Sequence, residues 1–152
     1  KDILGNMIRN LAKGHVYANG FHIIGSYNDD TLYVYDANTT TDNGFTIVRE
    51  RVSPSISNEM KNVRHDRLQL DVLTGATTNL TLNPQLIMQY SDDGFNWSDE
   101  WWESAGVAGA YSTIVEYRGL GVAQFRIYRI RATDGYYWSI SAASIDVTPG
   151  MY

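Results

Sequence analysis

Nothing in the chain restricts its fold more than the stretch Gln85-Leu-Ile-Met-Gln-Tyr-Ser-Asp-Asp-Gly-Phe-Asn-Trp-Ser-Asp-Glu-Trp-Trp102. Leu86, Met88 and Tyr90 alternate with Ile87, Gln89 and Ser91, the period of a strand with one face more apolar than the other. Asp92-Asp93-Gly94 then predicts a reversal: two residues that accept a type I turn precede a glycine suited to the left-handed position. Phe95 to Ser98 reads as the start of the return strand. Trp97, Trp101 and Trp102 add the largest apolar side chains within a few residues, and a hairpin this aromatic needs a second layer to cover it.

The same punctuation recurs along the chain. Asn19-Gly20 separates His15–Ala18 from Phe21–Ile24, the strongest short hairpin signal. Thr31–Tyr35 and, after a polar loop ending in Asp42-Asn43-Gly44, Phe45–Val52 complete a four-stranded meander of the kind from which propeller blades are built. Residues 3–11 read as a short helical turn or irregular lead-in. Ser53-Pro54-Ser55 marks a module boundary, because Pro54 cannot continue a ladder. Beyond it, Asp66–Val72 alternates with Leu68, Leu70 and Val72 inward, and Thr77–Thr81 loops. Glu103–Ala110 reads as a mobile loop. Tyr111–Tyr117, Phe125–Ala132 and Tyr136–Val147 are strands, the last two joined as a hairpin by Thr133-Asp134-Gly135. The expected fold is all-β: a blade-like meander over residues 1–50, then an antiparallel β-sandwich over 51–152.

Composition agrees and narrows the function. The 152 residues carry 43% apolar side chains, 11 tyrosines and only 3 prolines, which suits one folded β domain or a domain with a small module. A net charge of −5 argues against nucleic-acid binding by the whole surface. The absence of cysteine excludes disulfides and thiolate metal sites. No apolar run is long enough for a membrane helix, and no cofactor motif is present. An opening on Lys1-Asp2-Ile3 rather than Met reads as a fragment of something longer.

Several constellations have two readings. Ser91-Asp-Asp-Gly-Phe-Asn-Trp97 resembles the Asp-box of sialidase propellers, short by one glycine, and a related turn in discoidin-like sugar-binding modules; in both the motif is mainly a turn held by its Asp. Trp97, Trp101, Trp102 and Trp138 form either a sugar-stacking platform or, as is commoner in β modules, core and subunit interface. Asp99, Glu100 and Glu103 are similar to the carboxylate pair of glycosidases, but they share one loop. His15 and His22 share a face of the first hairpin, half of a metal site at most. His65 stands alone. Arg118, Arg126, Arg129 and Arg131 concentrate positive charge, with Arg126 on the face opposite Arg129 and Arg131. They read as sheet residues pairing with carboxylates, or as contacts to neighbouring subunits or phosphate.

Val52-Ser-Pro-Ser-Ile-Ser57, Arg67-Leu-Gln-Leu-Asp-Val-Leu-Thr-Gly75, Tyr90-Ser-Asp-Asp-Gly94 with Trp97-Ser98, Tyr117-Arg-Gly-Leu-Gly121 and Phe125-Arg-Ile-Tyr-Arg-Ile-Arg-Ala-Thr-Asp134 occur in this order. Together they resemble the C-terminal portion of the packaged-DNA stabilisation proteins, the tail hub or tail accessory factors of short-tailed bacteriophages. Asn19-Gly-Phe-His-Ile-Ile-Gly25 and Thr41-Asp-Asn-Gly44 are similar to the pattern preceding that region. One departure is Tyr117-Arg118-Gly119, where an aromatic and two basic residues are expected before Leu-Gly.

The resemblance implies a structural virion component without catalytic residues or cofactor. It implies a homo-oligomeric ring below the portal or adaptor protein that continues the DNA channel without reading sequence. Such a ring helps retain packaged DNA, carries the tail needle or tailspike, and is assembled in the host cytoplasm into the virion tail. On this reading Trp97, Trp101, Trp102, Glu103, Arg118, Arg126, Arg129 and Arg131 are subunit-interface candidates, with loops such as Glu103–Ala110 and Asn38–Gly44 facing neighbours. Asn19, Gly20, Asp92, Asp93, Gly94, Asp134 and Gly135 form turns. The rival readings are a carbohydrate-binding β-sandwich using exposed Trp residues and a glycoside hydrolase using Asp99 or Glu103.

Overall fold

A computed structural model describes residue 9 and residues 11–74, 83–107 and 109–150, which form two compact units, Lys1–Thr39 and Thr40–Tyr152. The expectations for most of 3–11 and for 77–81 lie outside the described residues.

In the first unit β1 (Ala12–Ala18), β2 (Phe21–Ser26) and β3 (Leu32–Tyr35) form an antiparallel meander in that order. Asn19 (φ 52°) and Gly20 (φ 83°) both sit in the left-handed region that a two-residue loop of matching twist requires. The meander has three strands here and not the expected four. Phe45–Val52 divides instead. Thr41–Asp42 (β4) pairs with Phe45–Thr46 (β5) around a second left-handed Asn43-Gly44 pair, whereas Arg49–Val52 (β6) joins the sandwich. Arg49 fastens β6 beside β13, its guanidinium donating to the carbonyls of Asp134 and Tyr136 in the connection that follows β13.

The second unit is the sandwich. Ile56–Ser57 (β7), Val63–Leu73 (β8), Gln85–Ser91 (β9), Trp101–Ser104 (β10), Thr113–Arg118 (β11), Val122–Ala123 (β12), Phe125–Ala132 (β13) and Ser139–Pro149 (β14) follow in sequence. One sheet runs β10-β9-β13, with β6 and β7 sharing the outer edge of β13 on either side of Pro54; the other has β11 and β12 on one edge of β8 and β14 on the other. All pairings are antiparallel.

Alternation fills the space between the sheets. Leu68, Leu70 and Val72 of β8 meet Leu86 and Met88 of β9 and Tyr128, Ile130 and Ala132 of β13, all buried. Each such Leu or Met contributes about 1.5–3 kcal/mol relative to exposure. On β8 the inward set changes parity, from Val63 and His65 to Leu68, Leu70 and Val72. A bulge that skips Asp66 between the pairs Arg67–Asp146 and His65–Val147 makes this possible without exposing either set. Buried hydroxyls find carbonyls: Tyr117 Oη donates to Leu86 O at 2.9 Å, Tyr136 Oη to Gln85 O at 3.2 Å and Thr74 Oγ1 to Ala105 O at 2.7 Å.

Three expectations need correction. The return strand begins at Trp101 and not at Phe95, because the amides of Phe95 and Asn96 are already donated to the Asp93 carboxylate. Of the loop expected over Glu103–Ala110, Glu103 and Ser104 lie instead in β10, and Ala105 is buried. Phe125–Ala132 and Ser139–Pro149 do not pair. Asp134–Tyr136 carries the chain from one sheet to the other, with the Asp134 carboxylate accepting the Gln85 amide at 2.9 Å.

Candidate functional site

The Asp92-Asp93-Gly94 reversal uses its two carboxylates differently. Asp93 stays in its own loop. Its Oδ1 accepts the amides of Phe95 (2.8 Å) and Asn96 (2.7 Å) and the Ser91 hydroxyl, and its Oδ2 accepts Asn96 Nδ2 at 2.6 Å. The Asn96 amide first, then the Phe95 amide, hold this carboxyl well below the usual carboxylate range. Gly94 takes the left-handed conformation (φ 81°) and donates its amide to Ser91 Oγ. Phe95, at the tip, is 86% exposed.

Asp92 points the other way, to Arg126. The two meet fork to fork, Nε–Oδ1 2.5 Å and Nη2–Oδ2 2.8 Å. Arg126 also donates to the Leu120 carbonyl and lies 4.0 Å over the Tyr90 ring. Leu120, itself buried, is framed by two left-handed glycines, Gly119 (φ 71°) and Gly121 (φ 82°), which hold that carbonyl against Arg126. Beside this cluster His65 has a partner after all. Its Nδ1 lies 2.8 Å from Tyr128 Oη, and burial first, then the Arg126 charge, lowers its pKa. Burial pushes the Tyr128 hydroxyl up to about 12. The interior thus carries a polar chain from Asp92 through Arg126 to Tyr128 and His65, tying the exposed reversal to both sheets.

Most of the other candidates divide between two faces of the β10-β9-β13 sheet, and Arg118 lies on β11 of the other sheet. Arg126 points inward and Arg129 and Arg131 outward, as alternation predicts. Arg129 lies 3.9 Å over the Trp97 ring and donates to Gln89 Oε1 at 2.6 Å, while Gln89 donates to the Ser98 carbonyl. Arg131 pairs with Glu100. Adjacent strand residues face opposite ways, so Trp101 packs on the core while Trp102, 51% exposed, faces outward with Ile87. One face of Trp97 is therefore taken by a guanidinium and Trp101 is spent on packing. Trp138 also packs against the core. Glu103 stands opposite Leu86 on β10. Arg118 bonds Glu116, which Arg67 also reaches at 2.8 Å, and Arg67 continues to Asp146, a charge ladder across β11, β8 and β14.

In the meander, His15 Nε2 and His22 Nδ1 are 2.8 Å apart on diagonal positions, as the Asn19-Gly20 register predicts. Among the described residues no group of three or more His, Cys, Asp or Glu side chains is arranged to hold a metal ion.

Sequence reasoning does not bring Leu120 and His65 together. The Gly-Leu-Gly spacing is the available signal for the first, because a glycine on either side of one apolar residue permits the turn in which Leu120 is buried. The Asp66 bulge that turns His65 inward has no local signature.

Among curated proteins no match was found for the chain. The model of one family, Bacteriophage P22 Gp10, beta-sandwich, matches residues 48–148, which begin within one residue of β6 and end within β14. The chain therefore belongs to the beta-sandwich family of bacteriophage P22 Gp10, the phage tail structural family of packaged-DNA stabilisation proteins that its ordered motifs point to.

Proposed function

We propose that this chain works as a passive building block of a phage tail hub, a ring of identical subunits that extends the portal channel, helps retain packaged DNA and carries a needle or spikes. The observation that carries this reading is the family match, which runs through every strand of the sandwich. The geometry supports it. Arg126, the Asp92–Gly94 loop and the Arg67 ladder spend their charge on rigidity, which a wall under load needs. The outward stripe of Trp97, Arg129, Arg131 and Trp102 mixes aromatic area with guanidinium groups, the chemistry that dominates protein interfaces. In this role the protein catalyses nothing, binds no cofactor, and meets DNA as channel wall without reading sequence. Assembly takes place in the host cytoplasm.

The test is electron microscopy of particles made without the full protein. Open tails and emptied capsids are expected; intact, DNA-filled particles would overturn the reading.

A further inference from the structure

The sandwich opens along one side. Where β6 and β7 edge one sheet and β14 edges the other, a groove of about 310 Å³ opens between them. Its walls are aliphatic and aromatic (Leu68, Leu70, Tyr128, Ile130 and Ile145), and its size is at the lower end of what ligand sites offer. The groove exists because β14 places small residues over it. A bulge at Ser141, whose hydroxyl donates to Asp71, keeps Ile140 and Ala143 both on the inner face, so Ala143 covers Leu70 where a larger side chain would fill the gap.

Two further features point to the occupant. First, β14 pairs only with β8 among the described residues, and from Ala142 to Thr148 it carries no Lys and no Pro. Its outer ladder of amides and carbonyls is open over a length that accepts a strand of about seven residues. Second, Arg51 is exposed at the groove's lip on β6. Among the described residues it is the one Arg or Lys of this unit without a polar or ring partner, while the others meet carboxylates, carbonyls, amides or aromatic rings.

We infer that this edge is a docking site for an extended segment of a different protein, one with aliphatic side chains at alternate positions and a carboxylate beside them. The segment pairs with β14 as an added strand, its aliphatic side chains enter the groove over Leu70 and Ile130, and its carboxylate meets Arg51. The inference goes beyond the proposed tail role. It rests on that role only for where such a segment would come from, and strand binding in solution is measured without reference to particle assembly.

The probe is the heptapeptide Thr-Ile-Thr-Val-Thr-Leu-Asp, fluorescein-labelled at its N-terminus and amidated at its C-terminus so that the Asp side chain is the one carboxylate in the peptide chain. It is titrated by fluorescence anisotropy against the 152-residue chain, with hydrogen exchange to locate it. Saturable binding is expected, with slowed exchange at the amides of 142–148. Arg51→Ala should weaken it about fivefold, as should Asn for the peptide's Asp. Ala143→Phe, which fills the groove without removing any contact of the fold, should weaken it at least tenfold while the thermal midpoint is kept or raised. Ala143→Val provides a second, gentler filling if the larger ring distorts the sheet. No binding at millimolar peptide, unchanged affinity in the filled variants, or protection elsewhere would overturn the inference. A concentration-dependent dimer dissolved by Ala143→Phe would assign the groove to a second copy and overturn it as well.

Discussion

Arg126 and Asp92 form a two-pronged ion pair across the wall of the sandwich: the guanidinium side chain is 2% exposed, the carboxylate side chain 46%. The asymmetry determines what each substitution does. Asp92→Ala leaves a buried cation with the Leu120 carbonyl, the Tyr128 hydroxyl and the Tyr90 ring but no carboxylate, whereas Arg126→Ala leaves a carboxylate that water already reaches. Breaking a fully buried pair costs about 3–5 kcal/mol. Solvent at Asp92 lowers the expected cost of Asp92→Ala to roughly 2–3 kcal/mol. Arg126→Lys should recover little, since an ammonium cannot make the fork and stack on Tyr90 together. Urea denaturation of the three variants measures this; a loss under about 0.5 kcal/mol for Asp92→Ala would show that the pair is incidental.

His65 gives the fold an acid-sensitive point. Burial, and then the neighbouring Arg126 charge, place its folded pKa below the ordinary value of 6.5, against smaller opposing effects of Asp92 and Asp66. The folded protein therefore binds this proton less readily than the unfolded chain. The stabilisation from a neutral His65 is complete above about pH 6.5 and is lost as pH falls through that value towards the lower folded pKa. Carboxylates with lowered pKa, Asp66 and Glu116 among them, add their losses only further down, below their ordinary values of 3.8 and 4.5. Thermal midpoints measured from pH 7.5 to 5 should fall more steeply for the wild type than for His65→Gln. Parallel curves would remove His65 from the account.

Asp93 is a cap, and its loss should loosen the loop before it unfolds the protein. Asp93→Ala removes the acceptor for the Phe95 and Asn96 amides. Exchange at those two amides should accelerate well beyond that of β9, with the sheet signal in circular dichroism unchanged. Asp93→Asn keeps one acceptor oxygen and should fall between. Equal protection in all three proteins would mean that Gly94 and Ser91 hold the turn by themselves.

Interface roles separate from stability on the outward face. Trp102 is half exposed and Arg118, among the described residues, bonds only nearby Glu116, so Trp102→Ala and Arg118→Glu should each shift folding stability by less than about 1 kcal/mol. If these side chains contact sister subunits, the same variants in the full protein should be depleted from assembled particles in a complementation assay. Normal incorporation of both would move the subunit contacts elsewhere.

Much of the sandwich is legible in the chain because a two-residue period needs no distant information. Leu68, Leu70 and Val72 alternate strictly, Phe125–Ala132 is bounded to the residue, and Asn19-Gly20 fixes a register that brings His15 to His22. What alternation cannot reveal is which sheet a strand joins. Thr133-Asp134-Gly135 has hairpin composition, yet the Asp134 carboxylate accepts the Gln85 amide and the Asp134 carbonyl accepts from Arg49, so the chain crosses layers there. Arg126 and Arg129 look alike in sequence; only the parity of β13 separates a core clamp from a surface stack on Trp97. Bulges are invisible for the same reason. Asp66 and Ser141 shift the phase of β8 and β14 without a glycine or proline to announce it.

The Gly119-Leu120-Gly121 turn holds the Leu120 carbonyl against Arg126, and it can be probed at Gly119 and at Leu120. A Cβ on Gly119 would meet nothing within 4 Å, so Gly119→Ala isolates the conformational penalty of a non-glycine residue at φ 71°, about 1–2 kcal/mol. Leu120→Ala removes a fully buried side chain and should cost about 2–5 kcal/mol through the cavity it leaves. The two effects should not add. Once Leu120 is truncated, less holds the turn in place, the carbonyl drifts from Arg126, and the strain at Gly119→Ala can relax. A double-mutant cycle by chemical denaturation should therefore return a coupling of about 0.5 kcal/mol or more; strict additivity would mean that the turn keeps its shape without the leucine, held from Arg126 alone.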